Sequence, residues 1–568
     1  MYYEQFMLTK VLKKQGFFLI KSIKIIKYLL TLSLITGCSN YNKEIIDLST
    51  SDELDLWHLK DYDRDSVPGI SLDKLYDELL KDRKGQEVVV AIIDTEVDIN
   101  HEELKEFIWV NTNEIAGNEK DDDNNGYVDD VNGWNFIGNK KGENLICSNF
   151  SFIRKLKYLA PLYEGKTKDQ VGNDTLDYQI YQRALKDFES MKDQIKADKE
   201  YVTFLNDGYP KSKKIMDSIF KRTTYTVEQL DSLYNAIEPK DSTLAADVYF
   251  MYDFMRYDMF GYADNLMNEI KQMEHYSNNI NYDDRKIIGD DVNDIEDRDY
   301  GTYKIADNLK ELTHGTIVTG VLGAHRTNAK GIRGIINNIK IMPLCIQTKF
   351  GSETDKDLAL SIRYAVDNGA QIINFSSNRF YETHNTWVQE ALLYAEKNNV
   401  LVIKAAGNNE TDLDQIAGYP NRKSKNYYTL NNFIVVGASG KHVGQYFKPV
   451  WSNYGSETVD LYAPGEEIPT TTPFNTYKND SGSSMSTAIA SGVAALILSF
   501  YPDLKVNDVR LILMESATRY DTPIALEYES DKRISYSTLS LSGGVLNAYD
   551  AFVLAGKINK KRNGKFNP

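Results

Sequence analysis

Cysteine and histidine are scarce in this chain, with three Cys and seven His in 568 residues. No Cys/His cluster with metal-ligand spacing occurs, which excludes a zinc finger or ribbon. Cys147 and Cys345 leave one disulfide open, but nothing in the sequence requires it. Cys345 ends the apolar run Ile339 to Leu344 and reads as a small buried core residue. Positive charge is also in short supply. Lys and Arg total 66 against 82 Asp and Glu, a net charge of −16. With no basic patch interleaved with aromatics, nucleic acid is excluded as a partner, and an acidic, soluble surface is expected. Internal repeats and low-complexity linkers are absent. Apart from His314, the histidines (His58, His101, His275, His325, His384 and His442) are scattered and read as structural or surface residues.

The N-terminal apolar run, Tyr28 to Ile35, is well short of the ~20 residues that span a bilayer. Lys10, Lys13, Lys14, Lys21, Lys24 and Lys27 precede it, and Ile35-Thr36-Gly37-Cys38 follows. A cationic, then apolar, then small-residue order is that of a secretory signal peptide. The small pair before cysteine resembles the bacterial lipobox, in which Cys38 is lipidated. The expectation is an exported bacterial lipoprotein of the cell envelope, at the periplasmic or surface face of the outer membrane. Between Ser39 and about Lys84 there is little room for a separate pro-domain. A small basic tail, 558–568, is expected after the last core helix.

Three distant segments carry chemistry. Val88 to Asp94 is an apolar run ending in a carboxylate. His314-Gly315-Thr316-Ile317-Val318-Thr319-Gly320 opens a small-residue helix with a histidine. Gly482-Ser483-Ser484-Met485-Ser486 is a Gly/Ser turn before the apolar stretch Ala488 to Leu498. A serine hydroxyl must lose its proton as it attacks a carbonyl, and a histidine with an ordinary pKa of ~6.5 can take it. A buried carboxylate fixes the imidazole tautomer and stabilises the imidazolium. In Lys404-Ala405-Ala406-Gly407-Asn408, Asn408 offers a side-chain amide at a strand end to an oxyanion. Each signal alone is common in strands, turns and loops; the four together, in this order, are not.

These segments resemble the subtilisin-like serine proteases, over roughly Trp57 to Ile137 and Tyr303 to Lys557. Asp, His, Ser is that family's order. The resemblance implies Asp94 as the carboxylate that orients the base, His314 as general base and Ser484 as nucleophile. Asn408 and the Ser484 N–H would hold the oxyanion. It also implies that Ile372 to Asn378 is a substrate-binding strand, with Ser376, Ser377, Asn378, Ala405, Ala406 and Gly407 as the substrate-binding residues. Departures are Glu96 and Asn378 where glycine is usual, Ser483 for threonine, Ala488 for proline, and Ile317 and Ile489 for histidines. Glu96 brings a charge near the base that would raise its pKa; Asn378 adds bulk beside the bound peptide. The expected activity is endopeptide hydrolysis of protein or peptide substrates by a monomer with no cofactor in the chemistry. Two other readings share the sequence: a catalytically silent peptide-binding lipoprotein, and a calcium-dependent adhesin built on an insertion.

That insertion is evident from spacing. Asp94 and His314 stand 220 residues apart, against roughly 30 in subtilisin. The segment is rich in Tyr, Asp, Lys and Leu. Tyr178 to Tyr201, Thr226 to Ile237 and Ala245 to His275 carry apolar residues at helical spacing, with Val248, Met251, Tyr252, Met255, Met259, Leu266 and Ile270 on one face. A helical appendage, a lid or a partner surface each fit it, as does a segment that restrains activity. Just before it, Asp121, Asp123 and Asn125 have the 1, 3, 5 spacing of a calcium loop, with Gly126 at position 6 and Asp129 at position 9. Position 12 is Asn132 rather than the glutamate of an EF-hand, so a single stabilising calcium loop is expected.

The fold expected is α/β: a three-layer subtilisin-like fold with a mainly parallel central sheet, plus a largely α-helical insertion. The sheet comprises Val88–Ile93, Lys340–Leu344, Gln371–Phe375, Val400–Lys404 and Phe433–Val436. Flanking helices cover Asp355–Asn368, Thr386–Asn398 and Ser484–Phe500. The domain plan is signal peptide 1–38, catalytic segment 39–138, helical insertion 139–300, catalytic segment 301–557 and tail 558–568.

Overall fold

A computed structural model describes residues 55–562 except 82, 173, 329, 331 and 423–427. The expected lipidation site, Cys38, and the end of the basic tail lie outside the described residues. Two compact units are present.

The larger unit contains residues 55–158 and 283–562 of the described chain. Its framework is seven strands: β1 (Val88–Asp94), β2 (Trp134–Asn135), β3 (Ile339–Cys345), β4 (Ile372–Phe375), β5 (Leu401–Ala405), β6 (Phe433–Ser439) and β7 (Leu461–Pro464). They lie in the order β7-β6-β5-β4-β1-β3-β2, extended beyond β7 by the short strands Gly544–Val545 and Thr518–Arg519. All pairings within the seven are parallel. A parallel sheet covered on both faces needs strands that are apolar throughout, and Val88 to Ile93 and Phe433 to Val436 are such runs. Register sets Val90 beside both Ile341 and Ile372, and Asp94 beside Cys345. The five expected strands are present within a residue or two, except that β6 runs on to Ser439. The two-residue β2, the short β7 and the hairpin of β8 (Ile468–Thr472) with β9 (Thr476–Asp480) lacked the length or apolarity to be read from sequence.

Two glycine-containing helices pack close to the sheet. The serine helix, Ser483–Phe500, is buried from Ser483 to Ser499. Among the described residues it is the one helix long and apolar enough to cross a membrane, and its apolarity is accounted for by burial in this core. The histidine helix, His314–Gly323, is buried at all ten positions. Its first turn presses on the chain just after β1: a Cβ on Gly315 would lie 2.5 Å from the Thr95 carbonyl oxygen and 2.6 Å from that of Glu96. The Gly315 N–H also donates to Thr95 Oγ1 at 2.8 Å. On the helix's other side, Thr470 and Thr471 of β8 donate their hydroxyls to the carbonyls of Ile317 and Thr316.

The segments bracketing the insertion are joined within this unit. Asn135 and Thr302 exchange backbone hydrogen bonds at 2.9 and 3.0 Å, and the Gly301 N–H donates to the Gly138 carbonyl. Arg285 bridges Asp290 and Asp357 at 2.7 Å each, and Tyr300 donates its hydroxyl to Asp357 at 2.7 Å. Asp357 belongs to the helix Asp355–Asp367. This network is almost wholly out of solvent, and its carboxylates hold the Arg285 guanidinium firmly charged against the cost of burial. Farther along the sheet, Lys448 is fully buried and donates to the carbonyls of Pro449, Val450 and Ser452 at 2.8, 3.0 and 2.7 Å. Burial lowers its pKa to about 7. Cys147 and Cys345 are both buried and are not joined to each other by a disulfide.

The smaller unit, Leu159–Tyr282, is helical. A 46-residue helix, Thr175–Phe220, is followed by Val227–Ile237, Ser242–Arg256 and Tyr262–Gln272. Thr226 and Gln229 form a capping box at the second. The single helix expected over Ala245 to His275 is two, because Asp258 and Gly261 take positive φ (45° and 75°) and break it. Val248, Met251, Leu266 and Ile270 are buried as the helical spacing implied.

The Gly315 contacts lead to a stability test. Gly315→Ala forces a methyl group into two backbone oxygens, and overpacking of this kind costs about 1–3 kcal/mol. The expected result is a lower midpoint in chemical denaturation, with an unchanged slope.

Candidate active site

β1 ends at Asp94, the strand after which the chain turns toward the histidine helix. Asp94 is fully buried, and its Oδ1 lies 2.7 Å from His314 Nδ1. The same oxygen accepts the Thr95 N–H at 2.7 Å, while Asp94 Oδ2 is buried without a partner. A buried carboxylate at one ring nitrogen leaves the other nitrogen to act as base.

Ser484 sits on the first turn of the serine helix. Its Oγ lies 3.3 Å from the Ser376 carbonyl, just past the end of β4. Asn408 follows β5, and its Oδ1 accepts the Ser483 N–H at 2.9 Å. That bond fixes the amide, whose NH2 group lies beside Gly482, the residue before the helix. A point one methyl out from Gly482 lies 3.3 Å from Asn408 Nδ2, 3.7 Å from the Ser484 N and 4.0 Å from Ser484 Oγ. Two N–H donors and a hydroxyl therefore surround one small space, the arrangement an attacked carbonyl needs. Active groups at the carboxyl ends of β1, β4 and β5 are where an open α/β sheet places them.

A hydrogen-bonded set of side chains beneath the surface holds this geometry. Asn374, fully buried in β4, donates to Ser376 Oγ at 3.0 Å and accepts from Ser491 Oγ of the serine helix at 2.9 Å. Ser483 Oγ accepts the Gly407 N–H at 3.1 Å. Sequence reading missed Asn374 and Ser491 because each is one polar residue in an otherwise apolar element. That incongruity was the available signal, since a buried amide must find a partner.

The expected substrate-binding strand is only partly exposed to a ligand. Ile372–Phe375 is paired on both sides, to β1 and β5, so an extended peptide can be met only by Ser376, Ser377 and Asn378. On the facing segment, Ala406 spends its N–H on Val436 and its carbonyl on Asn453. Ala405 is buried and its carbonyl accepts from Lys404. Gly407 and Asn408 are left to border the cleft. Glu96 is also diverted: its buried carboxylate accepts from Asn144 and Asn308, and burial raises its pKa.

Of the expected calcium ligands, the structure brings one into a cation-sized cluster. Asp129 accepts the backbone N–H groups of Gly117, Asn118 and Glu119, and Asp121 those of Asn125 and Gly126. Asn125 donates its amide to Asp123 and Asp130. The 1, 3, 5, 9 spacing is therefore corrected: positions 121 and 129 shape the turn, and the carboxylate oxygens of Glu114, Asp123 and Asp130 lie within 4.8 Å of one another. Glu114 Oε2 is buried without a partner. Burial, reinforced by neighbouring carboxylates, raises the pKa of both Glu114 and Asp130. Three crowded carboxylates with an orphaned oxygen suit a hard cation.

The chain is similar in sequence to known proteins. Residues 171–538 match the subtilase family model, a stretch that contains His314, Asn408 and Ser484 and begins after Asp94. A thermophilic serine proteinase of Bacillus sp. (strain AK1) is 33% identical over 260 residues, 45% of this chain and 55% of that protein. Subtilisin DY of Bacillus licheniformis is 32% identical over 206 residues, 36% of this chain and 70% of that protein. Among solved structures, the patellamide maturation protease PatA shares 29% identity over 43% of this chain and 84% of its own, with a TM-score of 0.34. The chain thus spans little more than half the length of the first of these relatives. The family model covers well over half of the chain, and the chain belongs to the subtilase family.

Proposed function

We propose that the chain is a serine endopeptidase that cleaves protein or peptide substrates through an acyl-enzyme. The observation that carries the reading is the 2.7 Å contact of buried Asp94 with His314 Nδ1, made across an insertion that leaves the segments around it in register. In this reading Ser484 attacks the carbonyl, and its proton passes to His314. Asp94 holds the ring and stabilises its cationic form. The oxygen of the tetrahedral intermediate is met by Asn408 Nδ2 and the Ser484 N–H. His314 then protonates the departing amine, and water repeats the sequence to free the acid.

Membership of a family whose curated relatives include serine proteinases supports this, as does the position of Asn408 Nδ2 near the Ser484 N–H around Gly482. A fluorophosphonate probe is expected to label the protein lacking residues 1–38, and Ser484→Ala to abolish both labelling and casein cleavage. Well-folded protein that neither labels nor cleaves would refute the activity and favour the silent peptide-binding reading.

Two further parts of the proposal concern ions and the membrane. Glu114, Asp123 and Asp130 would hold a structural calcium, with no part in bond cleavage. Chelation is expected to lower the thermal midpoint, and Asp123→Asn with Asp130→Asn to remove that sensitivity. Cys38 would be the lipidated N-terminus of a cell-envelope protein, supported by the small pair that precedes it and the cationic and apolar segments before that. Cys38→Ala is expected to move the protein from the detergent phase to the aqueous phase in a phase-partition assay.

A further inference from the structure

The cleft holds a polar group that the reaction does not use. Asn378 leaves the end of β4 between two glycines. A Cβ on Gly407 would lie 3.0 Å from Asn378 Cβ and 3.1 Å from its Nδ2; one on Gly418 would lie 2.2 Å from its Oδ1 and 3.3 Å from its Nδ2. The Asn378 side chain therefore fills the slot between Gly407 and Gly418. It is pinned there, because Lys404 Nζ donates to Asn378 Oδ1 at 2.7 Å. Lys404 is itself 1% exposed, and burial lowers its pKa to about 7. Behind it, Arg379 bridges Glu353 at 2.9 Å and pairs with Asp355, and Ser377 donates to Glu353 at 3.3 Å. The slot thus has a rigid polar floor.

Its position decides what it receives. The carbonyl attacked by Ser484 must direct its oxygen at Asn408 Nδ2. The side chain of the residue that owns this carbonyl branches one atom away. Between Ser376–Asn378 and Gly407–Asn408 it would meet the Asn378 amide, which packs against Gly407 and Gly418. With Oδ1 taken by Lys404, the remaining group is Asn378 Nδ2, a buried donor without a partner. A buried orphan donor is costly and gains from any acceptor that reaches it.

Building on the proposed nucleophile, we infer that Asn378, held by Lys404, closes this slot and makes the chain cleave after short residues carrying an oxygen acceptor, such as serine and asparagine. Alanine fits but leaves the donor unsatisfied. Leucine and phenylalanine are too long for the floor. Asn378 is the specificity-determining residue, and Lys404 is a positioning residue that acts through it.

The test is kcat/KM on one peptide series that varies only the residue before the scissile bond: Ser, Asn, Ala, Leu and Phe. The unmodified protein is expected to favour Ser and Asn over Leu and Phe by at least about tenfold, and over Ala by about threefold. Asn378→Gly should raise cleavage after Phe by about tenfold or more. Asn378→Ala, which keeps the Cβ, should lose the advantage of Ser and Asn over Ala. Equal or better cleavage after Phe or Leu by the unmodified protein overturns the inference, as does a profile unchanged in either variant. Fluorophosphonate labelling of Ser484 is scored alongside. Labelled protein with the wrong profile overturns this inference alone, whereas unlabelled, inactive protein overturns the proposed function and this inference together.

Discussion

The hydrogen bond between Asp94 and His314 is the constraint on which the rest of the structure depends. Its partners are 220 residues apart, and a contact of this length tolerates little displacement. Everything that borders it is correspondingly fixed. Gly315 allows the helix to sit on the backbone of Thr95 and Glu96, and Thr470 and Thr471 brace the helix from behind. The ends of the inserted sequence are closed by the pairing of Asn135 with Thr302 and by the buried Arg285, Asp357 and Tyr300. Breaking one partner of such a buried set costs far more than the set contributes as a whole. The stem is therefore under stronger constraint than the helices between its ends.

The second organising element is the serine helix. Its apolar body fills the core, while the hydroxyls and N–H groups of its first turn face strand ends. Ser483 and Ser491 each spend a polar group on the sheet side, at Gly407 and Asn374. This pairing relates β4, β5 and the helix start without relying on apolar packing, which is less directional. Subtle displacement at these points would misplace the Asn408 amide relative to Ser484.

Much of this was legible in the sequence. Five sheet strands and the three main flanking helices follow from apolar runs and helical spacing, and the four chemical segments stood out by residue type and order. What escaped had physical reasons. The two-residue β2, the short β7 and the polar strands β8 and β9 carry too little apolar pattern. The break at Asp258 to Gly261 depends on two backbone conformations rather than on periodicity. In the acidic turn, spacing named Asp121 and Asp129, but a carboxylate can bind backbone N–H groups as well as a cation. Only three-dimensional proximity brings in Glu114 and Asp130. Asn378 could be recognised as bulky beside a peptide, but its anchoring by Lys404, 26 residues later, could not.

Lys448 gives the sheet's far side a different character. Its ammonium occupies the centre of three carbonyl oxygens, a coordination that other loops assign to a dissolved monovalent ion. Here the cation is covalently tethered. It cannot be washed out, exchanged or competed for. Burial already lowers the ammonium's pKa to about 7, so the charge these carbonyls hold is set by proton exchange near neutrality rather than by ionic composition.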